Sequence, residues 1–289
     1  MAKRIASGFL WLFIGIAALA LMNTGIFLIF GIFLCVTATY ELNRSSGLKN
    51  KPIMALSLLV SALFPVYYEY GHYLKGIDWL NLKTEYLVTL YVVILCFLML
   101  HNHEETKFSN VAFTIVSSLC VPFAFTRFLF FRDIAEYYPD NGYTNAHGIF
   151  LVLFILFAAC MTDVCAYFVG SALGKHKLCP KISPKKTVEG AVGGVVGCVI
   201  GHIGLYAVYD NFVFENPVHN YFPIIIASII TSIVGMCGDL TASLIKRNYG
   251  IKDFGNLIPG HGGLMDRFDS IMFVAIAFYA VFNIFEVSI

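Results

Sequence analysis

Charge is scarce in this chain. Asp, Glu, Lys and Arg make up 13% of its 289 residues, where a soluble domain carries about 25%. Neither sign is in excess: 19 basic and 18 acidic residues leave a net charge of +1. Meeting a phosphate backbone takes a broad basic field, so nucleic acid is excluded as a partner. The eight cysteines form no CxxC pair, and all but Cys179 lie in apolar runs. There Cys acts as a small hydrophobe, and neither a disulfide framework nor a zinc site is expected. There is no GxxxxGK[ST] loop, no internal repeat and no low-complexity stretch. What the chain has instead is 58% hydrophobic residues. That excess excludes a disordered chain, a coiled coil and an ordinary soluble enzyme, and requires lipid as solvent.

Apolar runs lie at 7–22, 25–40, 52–68, 86–100, 108–131, 147–170, 189–209, 221–243 and 268–286. A bilayer core takes about 20 apolar residues per helix. The first two runs together would make roughly 50 Å of helix at 1.5 Å per residue. That is too long for one pass, and Asn23-Thr24-Gly25 marks a turn. The expectation is an all-α polytopic integral membrane protein of about nine transmembrane helices. A cleaved signal peptide is the rival reading of the first run, with Lys3-Arg4 before it and Ala18-Leu19-Ala20 late in it. Nine spans with a cytoplasmic N-terminus put the C-terminus outside. They also put Lys3, Arg4, Arg44, Lys49, Lys51, Lys107, Lys175, Lys177, Lys181, Lys185, Lys186, Lys246, Arg247, Lys252 and Arg267 in the cytoplasm, 15 of the 19 basic residues. Lys75, Lys83, Arg127 and Arg132 fall on the other side. The positive-inside rule favours this arrangement.

Ionisable groups in apolar spans are costly and read as functional by default. Asp163 lies late in the sixth span and Asp239 late in the eighth. Glu189 opens the seventh, and Asp266 and Asp269 open the ninth. In the expected topology all five lie towards the cytoplasmic mouth. Each could instead pair with a nearby Lys or Arg and only stabilise a helix end. Oxygen ligands of this kind suit Mg²⁺, which usually takes one or two carboxylates plus substrate phosphates.

Ser183-Pro184-Lys185-Lys186-Thr187-Val188-Glu189-Gly190 has the form of an anion site. Thr187 can cap the following helix, whose N-terminus offers free N–H groups and positive partial charge. The helix itself carries Gly190, Gly193, Gly194, Gly197, Gly201 and Gly204, a small-xxx-small pattern for close packing in lipid. The stripe could serve between protomers of a homodimer as readily as within one. His202 on this helix is expected to be packed or hydrogen-bonded rather than a ligand. His101-Asn102-His103-Glu104-Glu105 is expected to be a solvated loop. The densest polar segment runs from Ser243 to Ser270 and sets Lys246, Arg247, Lys252 and Arg267 against Asp253, Asp266 and Asp269. At its centre, Pro259-Gly260-His261-Gly262-Gly263 can bring backbone N–H groups close to a phosphate.

This segment resembles the signature of the phosphatidate cytidylyltransferase (CDP-diacylglycerol synthase) family. Ser243, Lys246-Arg247, Lys252-Asp253, Pro259, His261-Gly262-Gly263 and Asp266-Arg267-Phe268-Asp269 fill every position of it. The resemblance extends to Asp163 with Ala166-Tyr167, to Ser183 through Thr187 with Glu189-Gly190, and to Gly238-Asp239. It covers about the last 130 residues, in a chain of the length of the bacterial members. It divides the chain into an N-terminal transmembrane region, 1–145, with about five helices, and a C-terminal catalytic region, 146–289, with inner loops 171–188 and 244–267.

The resemblance implies that CTP and phosphatidate yield CDP-diacylglycerol and pyrophosphate with Mg²⁺, in phospholipid biosynthesis at the bacterial inner membrane. By resemblance Asp239 and Asp266 hold the metal, with Asp163 as a further ligand and a second cation left open. Lys185, Lys186 and Lys246 are assigned to CTP phosphates, and Arg247 and Arg267 to the lipid phosphate or the leaving group. Asp253, His261 and Asp269 complete the expected catalytic set, His261 in positioning. Ser183, Thr187, Glu189, Ser243, Lys252, Gly262 and Gly263 are expected around the substrates. Two other functions would use such residues. A CTP-dependent polyprenol or lipid kinase would transfer the γ-phosphate and release CDP. A transporter would use buried acids and glycine-rich spans, but the unusual residues here crowd one mouth and no inverted repeat is present.

Overall fold

The computed structural model describes residues 13–74, 83–214, 218–258 and 262–285. Eight long helices dominate it: α1 Gly25–Ser45, α2 Lys51–Leu74, α3 Thr84–His101, α4 Phe108–Arg132, α5 Asn145–Leu173, α6 Val188–Phe212, α7 Tyr221–Asn248 and α8 Met265–Phe285. Each is long and apolar enough to cross a membrane, so the chain is an all-α polytopic membrane protein. The first expected run, 7–22, lies partly outside the described residues; residues 13–20 are helical. The expected turn follows at residues 21–24, where Thr24 donates its hydroxyl to Leu21 O at 2.6 Å. The one sheet among the described residues is a two-stranded antiparallel hairpin, β1 Lys177–Cys179 and β2 Ser183–Thr187, set just before α6. The inner loop expected at 171–188 is thus largely ordered as a hairpin.

The chain forms two compact units. The first comprises residues 1–126 and 251–266, the second residues 127–250 and 267–289. The division falls inside α4 and again inside α8, so it follows packing, where the expected boundary at 145 follows resemblance.

In the first unit α1 and α2 pack together. Leu48, Ile53, Tyr91, Leu95 and Val111 form a buried apolar cluster. Beside it runs a chain of buried polar side chains. Asn43 Nδ2 donates to Ser57 Oγ at 2.9 Å, and Ser117 Oγ donates to Asn43 Oδ1 at 2.6 Å. Thr39 and Ser61 hydroxyls meet at 2.9 Å, and Tyr91 and Ser118 hydroxyls at 2.6 Å. Lipid tails give helices no hydrophobic reason to associate. Interhelical hydrogen bonds of this kind therefore fix which faces meet.

In the second unit α5, α6 and α7 pack side by side. The glycines of α6 explain how closely. A Cβ at Gly190 would lie 2.7 Å from Ala166 O, and one at Gly194 would lie 2.9 Å from Thr162 O and 3.1 Å from Ala166 Cβ. Gly193, Gly197 and Gly201 likewise face Val169, Cys165 and Phe157 of α5. The stripe is therefore used inside the chain, against α5. His202, fully buried, stacks on Phe154 with centroids 3.7 Å apart, bonds Phe154 O through Nε2 at 3.1 Å and meets Ser228 Oγ through Nδ1 at 2.9 Å. It is packed and hydrogen-bonded, as expected from sequence.

At 1.5 Å per residue α5 and α7 are each about 42 Å long, against a hydrocarbon core of about 30 Å. Helices of that length tilt or extend past the hydrocarbon. Asp163 and Asp239 stand roughly 14–15 Å from the C-terminal ends of their helices.

Gly194→Val should overpack the α5–α6 seam, at about 1–3 kcal/mol. Thermal unfolding in detergent should show a midpoint several degrees lower. Gly204→Val, at a position where a Cβ meets nothing within 4 Å, should leave it unchanged.

Candidate functional site

The second unit gathers charge around the end of the hairpin. Along β2 Pro184 and Lys185 are exposed, while Lys186 is half-buried and Thr187 buried. Thr187 then caps α6 as expected, its Oγ1 accepting the Gly190 N–H at 3.1 Å. Glu189 ties down the entry to the hairpin. Its carboxylate accepts from Lys175 N at 3.1 Å, from His176 N at 3.2 Å and from His176 Nδ1 at 2.6 Å. In this arrangement Glu189 braces the loop that presents the lysines.

Lys186 Nζ lies 2.5 Å from Asp239 Oδ2, with both side chains about a quarter exposed, 26% and 27%. The nitrogen is buried, and the Asp239 carboxylate is the partner it meets. The carboxylate of Asp163 on α5 lies close enough to interact electrostatically with both Asp239 and Lys186. Asp269 on α8, 7% exposed, interacts with Asp239, Asp163 and Lys246 and accepts the Ser270 N–H at 2.8 Å. Three carboxylates from α5, α7 and α8 thus share two lysines, from β2 and α7. Ser243, on α7 one turn before Lys246, is half-buried, whereas Arg247 and Arg267 are exposed.

The first unit holds a second cluster, in the segment 251–266. Ile258 N donates to Gly262 O at 2.9 Å, bringing together the ends of a stretch whose residues 259–261 lie outside those described. The expected role of His261 falls there. Gly262 has φ +87°, a left-handed conformation that glycine adopts at little cost. Asp266 Oδ2 accepts the Phe254 N–H at 2.9 Å and the Gly263 N–H at 3.0 Å. Asp266 therefore braces the signature loop with one of its oxygens, and the Gly263 N–H expected to face a phosphate is engaged by that carboxylate. Lys252 and Asp253 are exposed, with Asp253 packed against Gly262.

Sequence reasoning missed Glu41. It is 5% exposed, and its two oxygens accept the Leu264 N–H at 3.0 Å and the Met265 N–H at 2.8 Å. The apolar run ends at Tyr40 by hydropathy, which leaves Glu41 in a loop. The helix in fact continues to Ser45, so the rule that flags acids inside spans applies to Glu41 as well. His176 was missed for a different reason: no spacing links it to Glu189, 13 residues away.

Among the described residues no three His, Cys, Asp or Glu side chains converge to cage an ion unaided. The chemistry of the second-unit cluster still suits Mg²⁺, which binds with one or two carboxylates and completes its shell with water and phosphate oxygens. A cation, the Lys186 ammonium, already stands against Asp239.

Known proteins resemble this chain over most of its length. A phosphatidate cytidylyltransferase of Bacillus subtilis (strain 168) is 32% identical over 252 residues, 86% of each chain. One of Staphylococcus epidermidis is 30% identical over 250 residues, again 86% of each chain. One of Staphylococcus saprophyticus is 34% identical over 203 residues, 68% of each chain. The profile of the cytidylyltransferase family matches residues 2–285, and the chain belongs to that family.

Proposed function

We propose that this protein is a phosphatidate cytidylyltransferase. It would convert CTP and phosphatidate to CDP-diacylglycerol and pyrophosphate, at a site facing the cytoplasm in the inner membrane of a bacterium. The observation that carries the reading is the Lys186–Asp239 pair set among Asp163, Asp269 and Lys246. A polyphosphate can take up the lysine donors while the released carboxylates receive a cation. The cytidylyltransferase names of the relatives support the same chemistry. The membrane orientation rests on the bias of basic residues towards one set of loops.

In the reaction a phosphate oxygen of phosphatidate attacks the α-phosphorus of CTP. One P–O bond forms, the α–β phosphoanhydride bond breaks, and pyrophosphate leaves with the electron pair. Phosphatidate is already ionised at neutral pH, so no residue has to remove a proton. Catalysis then consists of positioning and charge neutralisation. Lys186 and Lys246, with Lys185 at the rim, would hold the CTP phosphates. Arg247 and Arg267 would meet the lipid phosphate or the departing pyrophosphate. By the resemblance Asp239 and Asp266 would hold Mg²⁺, with Asp163, which lies near Asp239 in the second unit, as a further ligand. The bound ion would neutralise charge on the triphosphate. Thr187 and Glu189 act at one remove, by fixing the strand that aims Lys186.

Product analysis in mixed micelles tests the reaction. Purified protein with CTP, phosphatidate and Mg²⁺ should release CDP-diacylglycerol and pyrophosphate in equal amounts, and EDTA should stop both. Release of CDP in place of pyrophosphate would refute the reading and identify a kinase.

Asp239→Asn should lower kcat/KM roughly 100- to 1,000-fold, as for the loss of a group that holds transition-state charge. Lys186→Met should raise the KM for CTP at least about tenfold, as for a lost charge-assisted contact. Initial rates across CTP concentrations check both. A wild-type CTP dependence for Lys186→Met would remove Lys186 from the nucleotide site.

A further inference from the structure

We infer that Glu41 is a positioning residue for the reaction, holding the signature loop 251–264 and the start of α8 in their working arrangement. This inference rests on the cytidylyltransferase reading and extends it to a residue outside the C-terminal motifs.

The geometry is specific. Three consecutive backbone N–H groups, at Gly263, Leu264 and Met265, stand at the head of α8. Asp266 takes the first, and Glu41 takes the second and third, one on each carboxylate oxygen. A helix head of this kind attracts anions through its free N–H groups and positive partial charge. Here the protein's own carboxylates engage these three N–H groups. Glu41 also lies against the loop at two glycines. A Cβ at Gly255 or at Gly263 would run into its carboxylate. The loop thus passes close over a charged side chain, and only residues without a Cβ allow the approach.

A buried carboxylate normally needs a cation or several donors. The donors that serve Glu41 belong to the loop itself, and Asp266 lies near enough to act on Glu41 electrostatically. Loss of the Glu41 charge therefore releases two amides at the point where Asp266 is aimed. None of the groups in the contact is among the lysines assigned to the CTP phosphates. The expected signature is a loss of turnover with little change in nucleotide affinity.

The test uses the purified full-length protein in micelles with CTP, phosphatidate and Mg²⁺. Glu41→Gln should lower kcat at least tenfold with the KM for CTP within threefold of wild type. Amide hydrogen exchange at Leu264 and Met265 should become at least tenfold faster, with exchange across α1 unchanged. Glu41→Asp, which keeps the charge, should recover turnover relative to Glu41→Gln. A wild-type kcat in Glu41→Gln would overturn the inference. So would a loss of kcat accompanied by faster exchange throughout α1, the mark of a general loosening. Should Glu41→Gln fail to fold, Gly255→Ala crowds the same carboxylate without removing it. It should give the same split between kcat and KM, and a wild-type kcat there would count equally against the inference. Absence of CDP-diacylglycerol from the wild-type protein would be a failure of the reaction reading. The exchange rates at Leu264 and Met265 would then decide whether Glu41 holds the loop.

Discussion

The ion pair between Lys186 and Asp239 sets the terms for the second unit. A lone carboxylate partway along a membrane helix is expensive, and a lone ammonium is no cheaper. Each supplies the other's partner, and the pair is short. Yet removing charge by pairing is only half of what the sequence does, because Asp163 and Asp269 add two more carboxylates nearby. A structural pair has no use for that surplus. On the proposed reading, that surplus would receive a cation when the substrates arrive. Both side chains are about a quarter exposed, and an ion pair so placed contributes little net stability.

The rest of the unit serves to keep that pair in place. Lys186 reaches Asp239 from the half-buried end of β2, which Thr187 ties to the head of α6 while Glu189 holds the start of the hairpin. The strand can lie there because α6 starts against α5 with glycine at the contact. Larger side chains at Gly190 and Gly194 would push α6 away and carry the hairpin with it. Packing in the apolar part of the molecule and the aim of a lysine at its edge are thus one constraint.

Much of this was legible in the sequence. Runs of about 20 apolar residues can only be helices in lipid, and eight of the nine expected runs coincide with described helices. The turn at 21–24 followed from Asn23-Thr24-Gly25. The Thr187 cap and the packing role of the glycine stripe followed from local chemistry. Other features were not legible because they depend on distance in space alone. Hydropathy locates spans but ends them where the first polar residue appears, so Glu41 dropped out of α1. A hairpin of eight or so polar residues has no periodicity long enough to read, and the inner loop 171–188 therefore hid β1 and β2. Nothing in the spacing of Glu189 and His176 announces that they meet, and nothing in the signature says that Asp266 spends an oxygen on its own loop.

Glu41 and Leu264 are separated by 223 positions, which has a consequence for how the protein is made. The chain enters the membrane from its N-terminus as it is synthesised. At roughly 5–20 residues per second, the partners of Glu41 emerge about 10–45 s after it does. For that interval α1 carries a carboxylate without its two amides, close to the polar end of the helix where water can reach it. The first unit is completed only by a segment that follows Glu41 by more than two hundred residues. A truncated chain that stops before residue 264 would contain α1 to α4 intact and still lack the contact that finishes the unit around them.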